Sequence, residues 1–235
     1  MSNEVLKISN LVKKYDNSDR VILNNLDLTI NDEDFLCILG PSGCGKSTLI
    51  RCIAGFEDYE GNIKVDGQPV VKPGPDRIMV FQDFNQLFPW KTVLGNITYP
   101  LKVGGMKDKE ERKKRAEKYL EKVNLSQYKD YYPHQLSGGM KQRVAIAKGL
   151  ALGSKIILMD EPSMGLSPIM VNEIFDIIRA VSESGTTVLL VEQNAKKALS
   201  IADRAYVLET GKIVLSGDAK ELLEDDSIKK AYLGE

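Results

Sequence analysis

The chain has 235 residues, of which 43% are hydrophobic and 28% charged, with a formal net charge of −1. This length and composition predict a globular protein of one domain, with or without a subdomain, and argue against the basic surface of a nucleic-acid-binding protein. No apolar run approaches the length of a membrane span, and the three cysteines lack metal-ligand spacing, so we expect a reduced, cytosolic chain. The first ten residues lack an apolar region, so we expect no secretory signal.

The first third of the chain is predicted to be rich in strands. Glu4–Lys14 and residues 21–30 alternate apolar and polar side chains, which is typical of half-buried strands. Residues 62–70 contain a two-residue Asp-Gly turn, which predicts a hairpin. Phe35–Leu39 is continuously apolar and indicates a fully buried strand. We therefore expect antiparallel pairing in this region beside one buried strand.

A glycine-rich loop follows the buried strand in the pattern G-x-x-x-x-G-K-[ST] of a phosphate-binding loop. Its glycines allow successive N–H groups to point at one anion, and the helix that follows adds its positive dipole end. Lys46 is placed to neutralise the outer phosphates, and the Ser47 hydroxyl to hold Mg²⁺. A chance match to a Gly-rich turn is the alternative, which the flanking strand and helix argue against. We predict a nucleoside triphosphate bound by Gly40, Pro41, Ser42, Gly43, Cys44, Gly45, Lys46, Ser47 and Thr48.

A strand predicted at residues 78–81 leads into Gln82 and an aromatic-rich segment, residues 83–93, that is interrupted by Pro89. Two interpretations of this segment stay open. It is either a loop whose apolar side chains return to the core or an exposed docking surface for a partner. Residues 108–123 then predict a charged amphipathic helix, whose interleaved acids and bases favour a solvated face over a nucleic-acid site.

A second glycine cluster, formed by Ser137, Gly138, Gly139 and Met140, opens a helix predicted to run to about Leu152. Ser137 is a good N-cap. Two glycines in the first turn weaken a helix by about 1 kcal/mol each relative to alanine, so capping explains the serine and leaves the glycines unexplained. Helical N–H groups unobstructed by side chains suit an anion, and we predict that this helix start binds one.

Two carboxylates end an apolar strand predicted at residues 156–161. Adjacent acids at the tip of a buried strand are costly unless a cation lies nearby. We predict that Asp160 holds Mg²⁺ through water. Glu161, which points the other way by strand alternation, is predicted to activate a water molecule.

The last third continues with helices and strands. Ser167 and a following proline predict the start of a helix that runs to about residue 184. Thr187–Val191 is predicted to be a buried strand, which residues 192–194 follow. A hairpin is expected over the turn at residues 210–211, and a helical tail over about residues 218–235.

These motifs together make the chain resemble the nucleotide-binding subunit of an ATP-binding-cassette (ABC) transporter. The resemblance rests on GPSGCGKST, Gln82 at the end of a strand, LSGGM and ILMDEP, in that order and separation, and it covers essentially the whole chain. The LSGG signature is confined to ABC ATPases. The resemblance implies an α/β fold, a P-loop NTPase with a RecA-like core, an antiparallel β subdomain and an inserted helical subdomain at about residues 90–150, together one domain over residues 1–235. It also implies ATP hydrolysis coupled to transport.

The resemblance implies roles for individual residues. Tyr15 matches the aromatic residue that stacks on adenine, and Gln82 matches the glutamine that senses Mg²⁺ and the transmembrane partner. Residues 137–139 match the signature that caps the γ-phosphate of the opposite subunit. Asp160 matches the ligand of the Mg²⁺-bound water, and Glu161 matches the catalytic base.

The chain departs from the family pattern at three points. Met140 ends the signature where glutamine is commoner, and Ser167 stands where the loop after the acidic pair usually has aspartate. Gln193 replaces the usual switch histidine, and the chain's only histidine, His134, precedes the signature. We predict that Gln193 positions the γ-phosphate as a neutral donor while Glu161 supplies the base. The alternative is a surface glutamine beside a degenerate site.

The resemblance also implies partners. These are a second nucleotide-binding subunit, as a head-to-tail homodimer or paralogue heterodimer around ATP, and permease subunits at the cytoplasmic face of the plasma membrane. A substrate-binding protein acts indirectly, and no nucleic acid is expected. The N-terminal half resembles nitrate, sulfonate and taurine importers, whereas the C-terminal half, including AYLGE, resembles branched-chain amino-acid importers. Because the permease is contacted around Gln82 and the helical subdomain, we expect a small anion or sulfonate as cargo. The alternatives are a branched-chain amino-acid importer and a free-standing regulatory ATPase.

Overall fold

A computed structural model describes residues 4–15 and 20–230 of the chain. The AYLGE segment and the end of the expected C-terminal tail lie outside the described residues. None of the helices in the described ranges is both long and apolar enough to cross a bilayer.

The strands form two sheets, as the alternating and continuous apolar patterns predict. In chain order they are β1 (Glu4–Lys14), β2 (Val21–Asn31), β3 (Phe35–Leu39), β4 (Glu60–Val65), β5 (Gln68–Pro69), β6 (Arg77–Val80), β7 (Ile156–Asp160), β8 (Thr187–Val191), β9 (Arg204–Glu209) and β10 (Lys212–Asp218). The first sheet is antiparallel with the order β2-β1-β4-β5. The second has the order β10-β9-β3-β8-β7-β6, in which β10 alone is antiparallel to its neighbour.

The helices alternate with the strands of the second sheet. They are α1 (Lys46–Ala54), α2 (Val93–Val103), α3 (Lys109–Lys122), α4 (Gly138–Leu152), α5 (Pro168–Glu183), α6 (Ala195–Leu199), α7 (Ala219–Glu224) and α8 (Asp226–Ile228). The strands β3, β7 and β8 are buried at every position. Helices on both faces of a mainly parallel sheet are the architecture of α/β nucleotide-binding folds, which confirms the predicted fold class.

Parallel β3, β6, β7 and β8 bring their carboxyl ends to one edge of the second sheet. The phosphate-binding loop follows β3, and Gln82 lies two residues after β6. Asp160 ends β7, and Gln193 lies two residues after β8. Segments separated by more than 100 residues in the chain therefore meet at this edge, which is where α/β sheets bind their ligands.

Helix α2 was not predicted from the sequence. Thr92 caps its first turn by accepting a hydrogen bond from Gly95 N at 3.1 Å. Its buried apolar residues are Val93, Ile97 and Leu101, spaced four residues apart, and Asn96 is buried beside them. Gly95 and a proline at position 100 obscure the helical pattern, and burial of this apolar face against α3 and α4 outweighs their low helix propensity.

One part of the aromatic segment at residues 83–93 returns to the core, as the first interpretation predicts, and another part is exposed, as the second interpretation requires. Leu87 and Val93 are buried in the core, whereas the Trp90 side chain is 71% exposed. Phe88 joins the two parts, because its ring lies 5.5 Å from the ring of Trp90 and 5.3 Å from that of Tyr99. We call Phe88, Trp90 and Tyr99 the aromatic patch.

Candidate nucleotide-binding site

The phosphate-binding loop joins the buried end of β3 to the first turn of α1. Gly43 and Gly45 have positive φ angles of 77° and 111°. A Cβ atom at Gly45 would lie 2.8 Å from Leu23 Cδ2, so only glycine fits this close approach to the first sheet. Nothing lies within 4 Å of the Cβ position of Gly43, where the loop faces open space. Because Gly45 occupies the N-cap of α1 without a capping side chain, the first helical N–H groups remain available to an anion.

Lys46 lies beneath this loop with only 4% of its surface exposed. Its Nζ donates to the carbonyl oxygens of Gly40 at 2.8 Å and Pro41 at 3.1 Å. The same Nζ lies 3.5 Å from Glu161 Oε1. The ammonium is therefore held between the loop carbonyls and a carboxylate, in reach of an anion that the loop would bind.

Ser47 and Asp160 form a pair of oxygen ligands next to this lysine. Ser47 Oγ donates to Asp160 Oδ1 at 2.9 Å. Burial raises the pKa of the Asp160 carboxyl, and donation from Ser47 opposes that rise. A desolvated carboxylate beside a hydroxyl suits a hard cation such as Mg²⁺, so the residues present fit the predicted ion. Within residues 4–15 and 20–230, no cluster of three His, Cys, Asp or Glu side chains forms a separate metal site.

The predicted direction of Glu161 is wrong. Strand alternation would turn its side chain away from that of Asp160. The strand ends at Asp160, and Glu161 adopts a left-handed backbone with φ 44°. Both carboxylates consequently face the phosphate-binding loop, Asp160 toward Ser47 and Glu161 toward Lys46.

A cleft of about 290 Å³ lies over the loop and collects most of the predicted site. Its walls include two residues that the sequence reasoning did not single out, Ile22 and Met164. An apolar position in a strand and a methionine in a loop carry no signal that separates them from core residues. The cleft is lined by Tyr15, Ile22, Ser42, Gly43, Gly45, Lys46, Ser47, Thr48, Gln82, Glu161, Met164 and Gln193.

The remaining predicted loop residues, Gly40, Pro41 and Cys44, do not line the cleft. Gly40 and Cys44 are buried, and Cys44 N donates to Pro41 O at 3.3 Å to close the turn. Burial raises the pKa of the Cys44 thiol, an effect that the nearby Lys46 opposes. Cys44 is therefore a neutral packing residue of the loop.

Gln82 reaches the cleft from the end of β6. Its side chain is exposed, and Nε2 lies 2.8 Å from Met164 Sδ. The adjoining backbone is held by fully buried Gln142 of α4, whose Nε2 donates to Phe81 O at 2.9 Å. Gln86 Nε2 in turn donates to Gln142 Oε1 at 2.7 Å. These two amides tie the Gln82 segment to α4.

Gln193 is exposed at the edge of the cleft, and buried Glu192 holds the backbone beneath it. Glu192 Oε2 accepts from Gln193 N at 3.2 Å. Glu192 Oε1 accepts from Ser163 N at 3.2 Å and from Ser163 Oγ at 2.7 Å. Burial raises the pKa of the Glu192 carboxyl, whereas donation from Ser163 opposes the rise. Sequence reasoning did not assign Glu192 a role, although a carboxylate directly after a buried strand is the same signal that identified Asp160.

The second glycine cluster does not line the cleft. Ser137 caps α4 as predicted, accepting from Met140 N at 3.3 Å. The Cβ positions of Gly138 and Gly139 are crowded by three apolar side chains, those of Phe84, Leu166 and Met170. Ser137, Gly138, Gly139 and Met140 therefore lie outside the cleft of this chain.

Comparison with known proteins agrees with this geometry. The family model described as ABC transporter matches residues 23–164. An uncharacterized ABC transporter ATP-binding protein of Methanocaldococcus jannaschii is 42% identical over 94% of this chain and 82% of that protein. The nitrate import ATP-binding protein NrtD of Synechocystis sp. is 44% identical over 81% of this chain and 71% of that protein. Three further relatives are 36–38% identical to this chain, and the matches cover at least 88% of this chain and at least 68% of each relative. They are a bicarbonate transport ATP-binding protein of Synechocystis sp., an arginine transport ATP-binding protein of Bacillus subtilis and an Fe(3+) ions import ATP-binding protein of Pasteurella multocida.

Solved structures share the whole fold. The structure of cbiO1 from Clostridium perfringens, part of the transporter complex cbiONQ, superposes with a TM-score of 0.86 at 29% identity, covering 98% of this chain and 95% of that chain. An ATP-binding cassette solved as a dimer in a post-hydrolysis state with ADP and Pi has a TM-score of 0.81 at 32% identity, covering 91% of this chain and 98% of that chain.

Proposed function

Since the chain belongs to the ABC transporter family of ATP-hydrolysing subunits, we propose that it binds ATP in the cleft over the phosphate-binding loop and hydrolyses it to power an importer. The observation that carries this proposal is the convergence of the loop with Gln82, Glu161 and Gln193 in one cleft. These residues come from four segments of the chain, and each follows a strand of the same parallel sheet edge.

In the proposed complex the phosphates lie over the loop and the base lies against Tyr15. Free N–H groups at the start of α1 and the Lys46 ammonium provide the positive field for the phosphates. Tyr15 is 38% exposed at the other side of the cleft, which leaves its ring available for stacking. Base–aromatic stacking is worth about 1–3 kcal/mol and discriminates little between bases.

In this proposal Ser47 Oγ and, through water, Asp160 would hold Mg²⁺, and Gln82 would contact the same ion. When bound, the ion neutralises charge on the outer phosphates. The protein supplies few ligands, as is usual for Mg²⁺ sites completed by phosphates and water. The raised pKa of Asp160 supports this assignment, because a buried carboxylate without a cation is unfavourable.

Glu161 is proposed to accept the proton of the attacking water, and Gln193 to orient the γ-phosphate with its side-chain amide. Both line the cleft. Glu192 connects their two loops, because one of its oxygens accepts from Ser163 and the other from Gln193 N. A buried carboxylate outside the cleft thus joins the loop that follows Glu161 to the loop that carries Gln193.

We propose that the functional unit is a head-to-tail dimer, either of two copies or with a paralogue. In this arrangement Ser137, Gly138 and Gly139 of one subunit cap the γ-phosphate held by the other. The dimeric, ADP- and Pi-bound relative supports this assembly. The separation of this helix start from the cleft of its own chain also supports it.

The proposed membrane partner is a permease at the cytoplasmic face of the plasma membrane. The aromatic patch is the proposed contact surface, since Trp90 is 71% exposed and the patch follows Gln82 closely in the chain. Aromatic side chains are enriched at the energetic centres of protein interfaces. A substrate-binding protein would act through the permease and has no proposed contact with this chain.

The proposed cargo is a small anion or sulfonate of the nitrate or taurine type. Nitrate and bicarbonate import proteins among the relatives support it, whereas arginine and Fe(3+) importers of comparable identity define the competing cargo classes. The test is reconstitution with the permease that co-purifies with the chain, followed by ATP hydrolysis with binding protein and nitrate, taurine, arginine or Fe³⁺. Stimulation by nitrate or taurine is expected. Stimulation by arginine or Fe³⁺ alone would overturn the cargo, and no hydrolysis under any condition would overturn the function.

A further inference from the structure

Behind the proposed base-stacking residue Tyr15 lies a buried lysine that the proposed mechanism does not use. Lys13 is near the end of β1, and its side chain is 8% exposed. Its Nζ lies 4.7 Å from the centroid of the Tyr15 ring. The same Nζ lies 3.2 Å from Glu57 Oε2, whose side chain is 22% exposed.

This arrangement leaves one face of the tyrosine ring for a ligand. A lysine ammonium is attracted to the face of an aromatic ring, and it occupies the face it covers. Lys13 does not line the cleft, whereas Tyr15 does. Lys13 thus covers one face of the ring from outside the cleft, and Tyr15 itself lines the cleft.

Glu57 connects this support to the phosphate-binding loop. Helix α1 begins at Lys46 in that loop, and Gly55 caps its far end with φ 81°. Glu57 follows two residues later, so its carboxylate is anchored to the helix whose first turn faces the phosphates. The Lys13–Glu57 ion pair therefore joins the strand that carries Tyr15 to the element that carries the phosphate site.

A nucleoside triphosphate has a limited reach between its base and its outer phosphates, so the relative placement of ring and loop determines whether both ends are bound together. We propose that Lys13 is a positioning residue that, held by Glu57, fixes the Tyr15 ring at the place where the base of a loop-bound nucleotide stacks. This inference rests on the proposed ATP site. On this proposal Lys13 contributes to ATP affinity only through the binding of the base, and it does not contribute to the binding of the phosphates.

The test separates the two ends of the ligand. Lys13→Met removes the charge and keeps an apolar stem, and its affinity is measured by calorimetry on the full chain with Mg²⁺ and either ATP or inorganic tripolyphosphate. We expect ATP binding to weaken about threefold to tenfold, because the Tyr15 ring then has to be ordered when the base binds, and tripolyphosphate binding to stay unchanged. Glu57→Gln releases the ammonium without touching the ring and is expected to give a smaller loss of the same kind.

Lys118→Met is the matched control, because Lys118 Nζ also lies over a tyrosine ring, 5.8 Å from the centroid of Tyr119 on α3. It should change neither affinity. In a Tyr15→Ala background, Lys13→Met should cause no further loss of ATP affinity. Equal losses for ATP and tripolyphosphate, or parental ATP affinity in both Lys13→Met and Glu57→Gln, would overturn the positioning role. Parental ATP affinity in Tyr15→Ala would instead overturn the proposed base site itself.

Discussion

Two helices of this chain begin at glycine-rich segments, and they differ in what surrounds their free N–H groups. At the start of α1, Lys46, Asp160 and Glu161 lie within one cluster of charged contacts. At the start of α4, the crowding neighbours of Gly138 and Gly139 are apolar side chains. A glycine-rich helix start is therefore part of a charged site at α1, whereas at α4 it lies outside the cleft of its own chain. A helix start becomes a binding site within its own chain only when the tertiary structure supplies its counter-groups.

The segments that line the cleft nevertheless pack against the start of α4. Phe84, two residues after Gln82, and Leu166, five residues after Glu161, both pack against Gly138. The Gln142 amide adds a hydrogen bond from α4 to the backbone next to Gln82. These contacts join both cleft segments to the helix start that is proposed to face the second subunit.

The largest expected effect comes from removing the proposed base. Glu161→Gln keeps the shape of the side chain and eliminates proton transfer, which lowers the rate by about 10² to 10⁴. Because ATP binding is retained, the variant should accumulate as an ATP-bound dimer in gel filtration. Hydrolysis at the parental rate would contradict the assignment of the base.

The same variant distinguishes the two helix starts. Ser137→Arg, introduced into Glu161→Gln, should abolish the ATP-bound dimer while leaving ATP bound to the monomer, because the arginine occupies the surface that is proposed to cap the partner's nucleotide. Ser200→Ala removes a similar hydroxyl, which donates to Lys197 O at 2.7 Å away from both regions, and serves as the control. If dimers persist in the Ser137→Arg protein, the α4 start does not act across a subunit interface.

Lys46→Ala is expected to disrupt the charged site at the start of α1 and to leave the start of α4 unchanged. The outer phosphates lose their cation, and we expect ATP affinity to fall about 100-fold or more, as for loss of two charge-assisted hydrogen bonds. Equilibrium binding of a fluorescent ATP analogue measures the loss. Lys155→Ala, whose ammonium lies 3.5 Å from Asp66 on the surface, is the matched control and should bind as the parent does. Unchanged affinity in Lys46→Ala would refute the phosphate-loop assignment.

Gln193→Ala is expected to lower turnover about tenfold with nearly unchanged ATP affinity, since the proposed amide contact orients a γ-phosphate that the loop already binds. Gln193→His should preserve activity, because an imidazole N–H also donates. Steady-state hydrolysis with the permease present is the measurement. Parental turnover in Gln193→Ala would show that this residue does not act as the switch.

The smallest expected effect is on stability and its pH dependence. Burial raises the pKa of Asp160, so the folded chain binds this proton more tightly than the unfolded chain does. The contribution of Asp160 to the free energy of unfolding is therefore fully present below the ordinary carboxyl pKa of about 4. It declines as pH rises through the raised pKa of the folded chain. Asp160→Asn should flatten this decline in nucleotide-free thermal unfolding as pH rises from about 4. The exposed Glu121→Gln control should keep the parental slope, and a parental slope in Asp160→Asn would contradict the prediction.

Much of the fold was predictable from local patterns. Continuous apolar runs predicted β3, β7 and β8, and alternation predicted β1 and β2. These predictions succeeded because β3, β7 and β8 are buried at every position, whereas β1 and β2 bury mainly alternate side chains. Helix α2 escaped prediction, because its interior glycine and proline hide a helix that forms through packing of Val93, Ile97 and Leu101.

Within the candidate site, the sequence by itself determined the chemistry of the phosphate-binding loop, the buried acid Asp160 and the Ser137 cap, because each depends on neighbours a few residues away. The tertiary structure alone decided that Glu161 turns toward Lys46, since a left-handed residue at the strand end cancels alternation. It also decided that Ile22 and Met164 line the cleft and that Glu192 joins two loops. These features depend on contacts between segments far apart in the chain, and no local pattern encodes which distant segments the parallel sheet brings to one edge.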